Sequence, residues 1–425
     1  MMGRRGIGAA LLLSGALVWM GCDSSPTENR TEPTISLDFE GSSLGSSGST
    51  GRDSLAFFLR DDTNARTRLW YSFQVNGGSG RSVRFRLMDG LSVADDAFWS
   101  IKRPVASSDG GSTWTRIADT SAEGGTYEFR YTPGSDADLI AAALPYNFSR
   151  WTRLVESLRP DPWVQSVTTI GSSLDGNPVD MLEITDASVS AAEKTGIWVV
   201  ARQHPGEPEG SFMLEGFLTW LLGDDAEAGE LRRRAEVFVV GFLNPDGVLA
   251  GNQRVNRAGL DLNRQWAAPT LSASPTIAAV TEEILGYAAG GGTVRIVVDF
   301  HAAPGGRSNF FFYNDEATSS PELFAEVQDL LEAATRVNPD FIPIEGSTAR
   351  PVPNGERARN LAFDRLGTHG VTVEASSNDV TYGPFQGQWA TEARLWALGE
   401  AVGVSVAEVL YGIGVGAGVA AAAAR

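Results

Sequence analysis

Near residue 141 the hydrophobic period of this 425-residue chain changes, and no other feature restricts its fold as much. Upstream, bulky apolar and polar residues alternate in short runs: Arg68-Leu69-Trp70-Tyr71-Ser72-Phe73-Gln74-Val75, Ser82-Val83-Arg84-Phe85-Arg86-Leu87 and Tyr127-Glu128-Phe129-Arg130-Tyr131. Asn76-Gly77-Gly78 and Ser108-Asp109-Gly110-Gly111 lie between such runs as turn signals. With no helix-period segment of any length here, an antiparallel β-sandwich of about 100 residues fits best. Beyond Ala141-Ala142-Ala143-Leu144-Pro145-Tyr146, apolar strands alternate with helix-length stretches. The strand candidates are Gly196–Ala201, Glu236–Leu243, Val294–Phe300, Asn309–Tyr313 and Gly370–Glu374. The helix candidates are Glu209–Leu222, Thr276–Ala288, Pro321–Arg336 and Trp389–Leu410. This pattern predicts an α/β domain with a mixed, mostly parallel sheet and helices on both faces. Such sheets place ligand sites at the carboxyl ends of their strands. His204, Asn244, His301 and Glu374 all fall at such ends.

A formal net charge of −18 argues against a sequence-independent hold on nucleic acid, which needs lysine and arginine to displace counterions. At the N-terminus, Arg4-Arg5 precede an apolar run from Ile7 to Met20. At about 14 residues it is too short for a bilayer, which needs about 20. Gly21-Cys22 follow, then a polar stretch, and Cys22 is the chain's only cysteine. The segment resembles a bacterial lipoprotein signal, although Trp19 and Met20 stand where that pattern prefers Leu and a small residue. The expected organisation is a signal peptide over 1–22 with Cys22 lipidated, a flexible tether over 23–52 and the β-sandwich over 53–142. The α/β domain follows over 143–411, with an Ala/Gly-rich tail over 412–425. The expected location is extracytoplasmic, with the lipid as the only membrane attachment, or alternatively secreted. One cysteine allows no internal disulfide.

The chain has only three histidines. One lies in Arg202-Gln203-His204-Pro205-Gly206-Glu207, another in Asp299-Phe300-His301, each following a β-branched run. A histidine, a glutamate three residues on and a distant second histidine form the two-His, one-carboxylate set of a catalytic zinc, with a fourth position for water. His301 is 97 residues beyond His204, so the ligands come from different strands, unlike a compact structural finger. His369 fits no ligand slot and reads as structural.

His204-Pro205-Gly206-Glu207, Asn244-Pro245-Asp246-Gly247, Gly251-Asn252-Gln253-Arg254, Gly259-Leu260-Asp261-Leu262-Asn263-Arg264, Asp299-Phe300-His301 and Val373-Glu374-Ala375-Ser376 follow one another in order. Together they resemble the zinc metallocarboxypeptidase family, in particular its cytosolic-carboxypeptidase-like branch, over roughly residues 55–410. That branch also carries a β-sandwich ahead of the catalytic domain. The resemblance implies one zinc held by His204, Glu207 and His301, with Glu374 as the general base that takes a proton from the zinc water. It implies that Arg254 polarises the scissile carbonyl, that Asn263 and Arg264 grip the substrate's terminal carboxylate, and that Asp261 orients His204. The family's mobile tyrosine has no counterpart between Gly346 and Thr368. That stretch instead carries Arg350, Arg357, Arg359 and Arg365, so Arg357 and Arg359 are expected to select acidic C-terminal residues. The expected substrate is a peptide, cleaved at its C-terminal peptide or isopeptide bond. An amide or acyl hydrolase of the murein-amidase or succinylglutamate-desuccinylase kind shares the zinc core and is the alternative.

Overall fold

In a computed structural model, residues 31–317, 319–343, 348–350, 356–384 and 386–414 are described. Cys22 and the end of the Ala/Gly-rich tail lie outside them. No helix among the described residues is long and apolar enough to cross a membrane. From Glu32 onward the chain forms one compact unit.

The alternating first part builds ten strands: β1 (Thr34–Ser36), β2 (Ser46–Gly51), β3 (Ser54–Phe58), β4 (Ser72–Asn76), β5 (Val83–Leu87), β6 (Val105–Ser107), β7 (Thr115–Arg116), β8 (Thr120–Glu123), β9 (Thr126–Tyr131) and β10 (Ala137–Ala141). They form two five-stranded sheets, ordered β1-β4-β10-β6-β7 and β2-β3-β5-β9-β8. All pairings are antiparallel except β3 with β5, which is parallel. The inward alternation positions Phe57, Phe73, Phe85, Phe129 and Ile140 share one apolar core. Phe85 lies opposite Phe129 in register, and their rings stack at 5.0 Å, the cross-strand aromatic pairing that stabilises a sheet face. A one-turn helix, α1 (Asp96–Ser100), interrupts the strands where none was expected; Asp95 caps it by accepting from the Phe98 N–H.

The expected tether over 23–52 needs correction. The domain begins well before residue 53, because β1 and β2 lie inside the stretch read as a tether. The Gly/Ser-rich run Ser46–Gly51 is an exposed edge strand on β3, held by backbone pairing that composition does not register.

The second part forms an eight-stranded sheet: β11 (Val164–Ser172), β12 (Pro178–Ile184), β13 (Thr195–Ala201), β14 (Ala235–Val240), β15 (Val294–Ala303), β16 (Phe310–Asn314), β17 (Thr348–Arg350) and β18 (His369–Ser376). Its order is β11-β12-β14-β13-β15-β18-β16-β17. The central strands β14, β13, β15 and β18 are parallel, while β11 and β12 form an antiparallel edge and β16 runs antiparallel to β18. Helices follow in chain order: α2 (Phe148–Leu158), α3 (Pro208–Leu221), α4 (Ala226–Arg234), α5 (Pro245–Leu249), α6 (Pro275–Ala289), α7 (Pro321–Val337), α8 (Ala358–Leu366) and α9 (Glu392–Tyr411). Because successive strand residues face opposite sides, Ile197, Val199 and Val298 pack with α3, α7 and α9. Trp198, Val200 and Val297 pack with α6 and α8 on the other face. The centre of the sheet is therefore covered on both sides, as its unbroken apolar strands require.

Candidate active site

The β13 strand ends in a turn that sets the first ligand. Arg202 takes a left-handed backbone conformation (φ 58°), rare for a residue with a side chain. Its buried guanidinium donates to Pro205 O at 3.0 Å and to Ser211 Oγ at 3.1 Å, which holds the turn closed. Glu207 occupies the position before α3 where a side chain would ordinarily cap the helix, yet it caps nothing. Its Oε1 lies 2.9 Å from His204 Nδ1 and its Oε2 lies 2.9 Å from His301 Nδ1.

Sheet register supplies the other side. On β15, Asp299 and His301 face the same way, opposite Thr372 and Glu374 of β18, which in turn lie opposite Phe312 and Phe310 of β16. These side chains, apart from the buried Asp299 and His301, line one pocket of about 640 Å³ with His204, Glu207, Arg254, Asn263 and Arg264. The expected strand end at Phe300 falls short, since β15 continues to Ala303 and carries His301 within it.

Ligand atoms of His204, Glu207 and His301, all buried, lie within 4.8 Å of one another. The outer nitrogens of both rings are occupied: His204 Nε2 is 2.9 Å from Asp261 Oδ1, and His301 Nε2 is 2.9 Å from Asp299 Oδ2. A carboxylate there keeps the proton on Nε2, so both Nδ1 atoms turn lone pairs toward the Glu207 carboxylate. Apart from the Ala302 N–H, which donates to Glu207 Oε2 at 3.2 Å, these facing atoms are ring nitrogens and carboxylate oxygens, a set that suits a cation, and two imidazoles with one carboxylate suit zinc. The electrostatics agree. Burial disfavours a charged His204, but Glu207 and Asp261 outweigh it and raise its pKa. His301 is likewise raised, burial being overcome by Asp299 and Glu207. Burial would lift the Glu207 carboxyl, but the two histidines hold it well below the usual carboxylate range. The site is short of positive charge, which is what a divalent ion supplies.

The remaining predicted residues fall around this centre. Arg254 is half-exposed and grips Asp261 Oδ2 through Nε (2.9 Å) and Nη2 (2.7 Å), so Asp261 bridges it to His204. Asn263 is buried with Nδ2 3.3 Å from His301 Nε2, and its Oδ1 has no partner among the described residues. Arg264 stands at the rim, donating to Asn263 O at 2.8 Å. Arg357 and Arg359 both line the pocket, joined by Arg350 from β17. Arg359 is 4% exposed, its Nε has no partner, and it forms no ion pair among the described residues. His369 lies apart at the start of β18, bonded through Nε2 to Glu326 at 2.7 Å. Glu374 Oε2 also lacks a partner among the described residues, and desolvation in the pocket pushes its carboxyl up to about 7 despite the pull of His301.

Sequence reasoning left Asp299 and Gln203 without roles. Gln203 donates to both Asp299 oxygens at 2.8 Å and accepts from Trp266 Nε1 at 2.9 Å, fixing the acid behind His301. An aspartate two residues before His301 on one strand was the available signal for Asp299, because i and i+2 share a face.

A family profile described as zinc carboxypeptidase matches residues 150–341, and one described as the cytosolic carboxypeptidase N-terminal domain matches residues 35–144. The chain carries a zinc carboxypeptidase domain behind a cytosolic carboxypeptidase N-terminal domain. Cytosolic carboxypeptidase 2 of Danio rerio is 31% identical over 285 residues, which is 60% of this chain and 39% of that protein. A metallo-carboxypeptidase from Burkholderia cenocepacia superposes with a TM-score of 0.81 at 25% identity, covering 88% of this chain and 98% of that one. A metallo-carboxypeptidase from Pseudomonas aeruginosa, solved in complex with (2-guanidinoethylmercapto)succinic acid, gives 0.79 at 25% identity, covering 90% and 100%. The chain spans about half the length of the curated relatives it matches, or less in several cases. The family match covers the three ligands, Arg254, Asp261, Asn263 and Arg264, and ends before Arg357, Arg359 and Glu374.

Proposed function

We propose that this chain is a zinc-dependent carboxypeptidase that removes an acidic C-terminal residue from peptides, through a peptide or isopeptide bond. The observation that carries the hydrolytic reading is a cluster of three buried metal donors, two of them lining the pocket that also holds a Glu374 carboxylate without a hydrogen-bond partner among the described residues. Zinc held by His204, Glu207 and His301 supplies the Lewis acidity that makes water a nucleophile near neutral pH. Glu374 accepts the proton of the attacking water and passes it to the leaving nitrogen. Arg254 offers fixed positive charge to the oxygen that becomes anionic in the transition state. Asn263 and Arg264 hold the terminal carboxylate, and Arg264's planar fork fits it bidentately. The N-terminal pattern ending at Cys22 supports a lipid-anchored, extracytoplasmic protein.

The acidic preference rests on Arg359. A buried guanidinium without a carboxylate is costly, and an incoming acidic side chain relieves that cost. Arg350 and Arg359 both lie over the Phe312 ring, at 5.6 and 5.8 Å, which aims them at the same volume. An apolar terminal residue would leave these charges unpaired, and that discriminates more strongly than a missing methylene. Peptides differing only in a terminal Glu, Leu or Lys test this. The Glu peptide should have the highest kcat/KM, and Arg359→Ala should narrow its lead by roughly 10-fold or more. Best cleavage of the Leu or Lys peptide, or an unchanged ranking in the variant, would refute the acidic pocket.

A further inference from the structure

The segment between β3 and β4 reaches across to the catalytic domain and grips the loop that carries Arg254. Asp62 is 5% exposed and accepts from three successive backbone N–H groups: Gln253 (2.6 Å), Arg254 (2.7 Å) and Val255 (3.2 Å). Its own place is fixed from within the first domain, since its N–H donates to Thr67 O at 2.7 Å. Two glycines let the backbones meet on either side of this contact. A Cβ on Gly251 would lie 2.4 Å from Ser42 O, and one on Gly259 would lie 2.6 Å from Asn64 O. Both carry positive φ, which a glycine tolerates without strain.

We infer that Asp62 is a positioning residue for the hydrolysis proposed above: an acid of the N-terminal domain that sets the backbone of Arg254 and so the aim of its guanidinium into the pocket. Three consecutive N–H groups can meet one carboxylate only if the chain curls around it, and this fixes the direction in which the Arg254 side chain leaves the backbone. Asp261 then holds the far end of that side chain. Arg254 is thus clamped at its root by one domain and at its tip by the other. Charge-assisted bonds to a buried carboxylate are strong and directional, so the clamp is stiff. The role rests on the hydrolytic reading, because the aim of Arg254 matters only where a carbonyl must be polarised. A side chain displaced by about 1 Å at such a point can cost about 100-fold in rate.

The test is a double-mutant cycle in the full-length, zinc-loaded protein: Asp62→Asn, Arg254→Ala and the pair, with kcat, KM and zinc content measured for each. Asp62→Asn keeps the shape but replaces one acceptor oxygen with an amide that opposes the N–H groups. It should keep one zinc and a KM within about 2-fold while kcat falls roughly 10- to 100-fold. In the Arg254→Ala background the same substitution should change kcat less than about 2-fold, because there is no guanidinium left to aim. Equal losses in both backgrounds, or a loss carried by KM or zinc content, would overturn the assignment. Amide hydrogen exchange at residues 253–255 gives a readout independent of catalysis. It should accelerate in Asp62→Asn, and unchanged exchange refutes the clamp even if the parent shows no peptidase activity, a result that would count against the functional reading alone. Should Asp62→Asn not fold, Asp62→Glu takes its place, and the same cycle and exchange comparison decide.

Discussion

His204 and His301 each give one ring nitrogen to an outer carboxylate and the other to Glu207. That division of labour makes the centre a cation site before any question of reaction arises. The ligand set was legible from its residue types and spacing, and Asp261 and Glu374 through the family resemblance of their motifs. Arg357 and Arg359 were legible only as a cluster; the burial of Arg359 and its lack of an ion pair among the described residues belong to the folded chain. Asp62 was not legible, because it meets Arg254 across about 190 residues and no local pattern marks it. The catalytic role proposed for Glu374 has a direct consequence. Glu374→Gln should retain zinc and peptide binding while kcat falls roughly 100- to 10,000-fold, since an amide cannot accept the proton. The base must be ionised, and burial sets its pKa above the ordinary value, at about 7, while zinc on the neighbouring ligands pulls it down. Activity of the parent should therefore decline on acidification at or below about pH 7. A variant as active as the parent would place the base elsewhere.

At the scale of elements, the period of the sequence predicted the core of the catalytic sheet and four of its helices, with ends shifted by a few residues. The strand expected to reach Leu243 stops at Val240, and Gly241 follows with Trp151 packed where a Cβ would be. The edge strands β11 and β12 and helix α2 escaped notice because they are half-exposed and their apolar pattern is diluted. Close helix packing also has no periodic signature. Helices α3 and α9 cross where a Cβ on Gly399 would lie 1.8 Å from Met213 O, and one on Gly216 would lie 2.2 Å from Trp396 O. Both collisions are with backbone, so a side chain there forces the helices apart. Gly399→Ala should destabilise the fold by about 1–3 kcal/mol, read as a lower denaturation midpoint with unchanged zinc content. A midpoint equal to the parent's would show that the crossing has room to spare. Helix α3 begins immediately after Glu207, so this packing also seats a zinc ligand.

Across the whole molecule, a chain of net charge −18 gathers Arg254, Arg264, Arg350, Arg357 and Arg359 around one pocket. An acidic substrate of the kind proposed would thus be drawn by contacts inside the pocket, not by the overall field, which repels it and is screened beyond about 10 Å in moderate salt. The two domains share this pocket's construction. The N-terminal domain holds the Arg254 loop through Asp62 and the Pro304 wall through Lys102 Nζ, which donates to Pro304 O. The central claim is that one zinc on His204, Glu207 and His301 drives removal of a single C-terminal residue. The most direct measurement incubates purified protein with a Glu-terminated peptide and with the same peptide amidated at its C-terminus, following products by mass spectrometry. Predicted is loss of one terminal residue from the free peptide and none from the amidated one, with activity abolished by a chelator, restored by zinc and absent in His301→Ala. Equal cleavage of the amidated peptide, or full activity in His301→Ala, would contradict it.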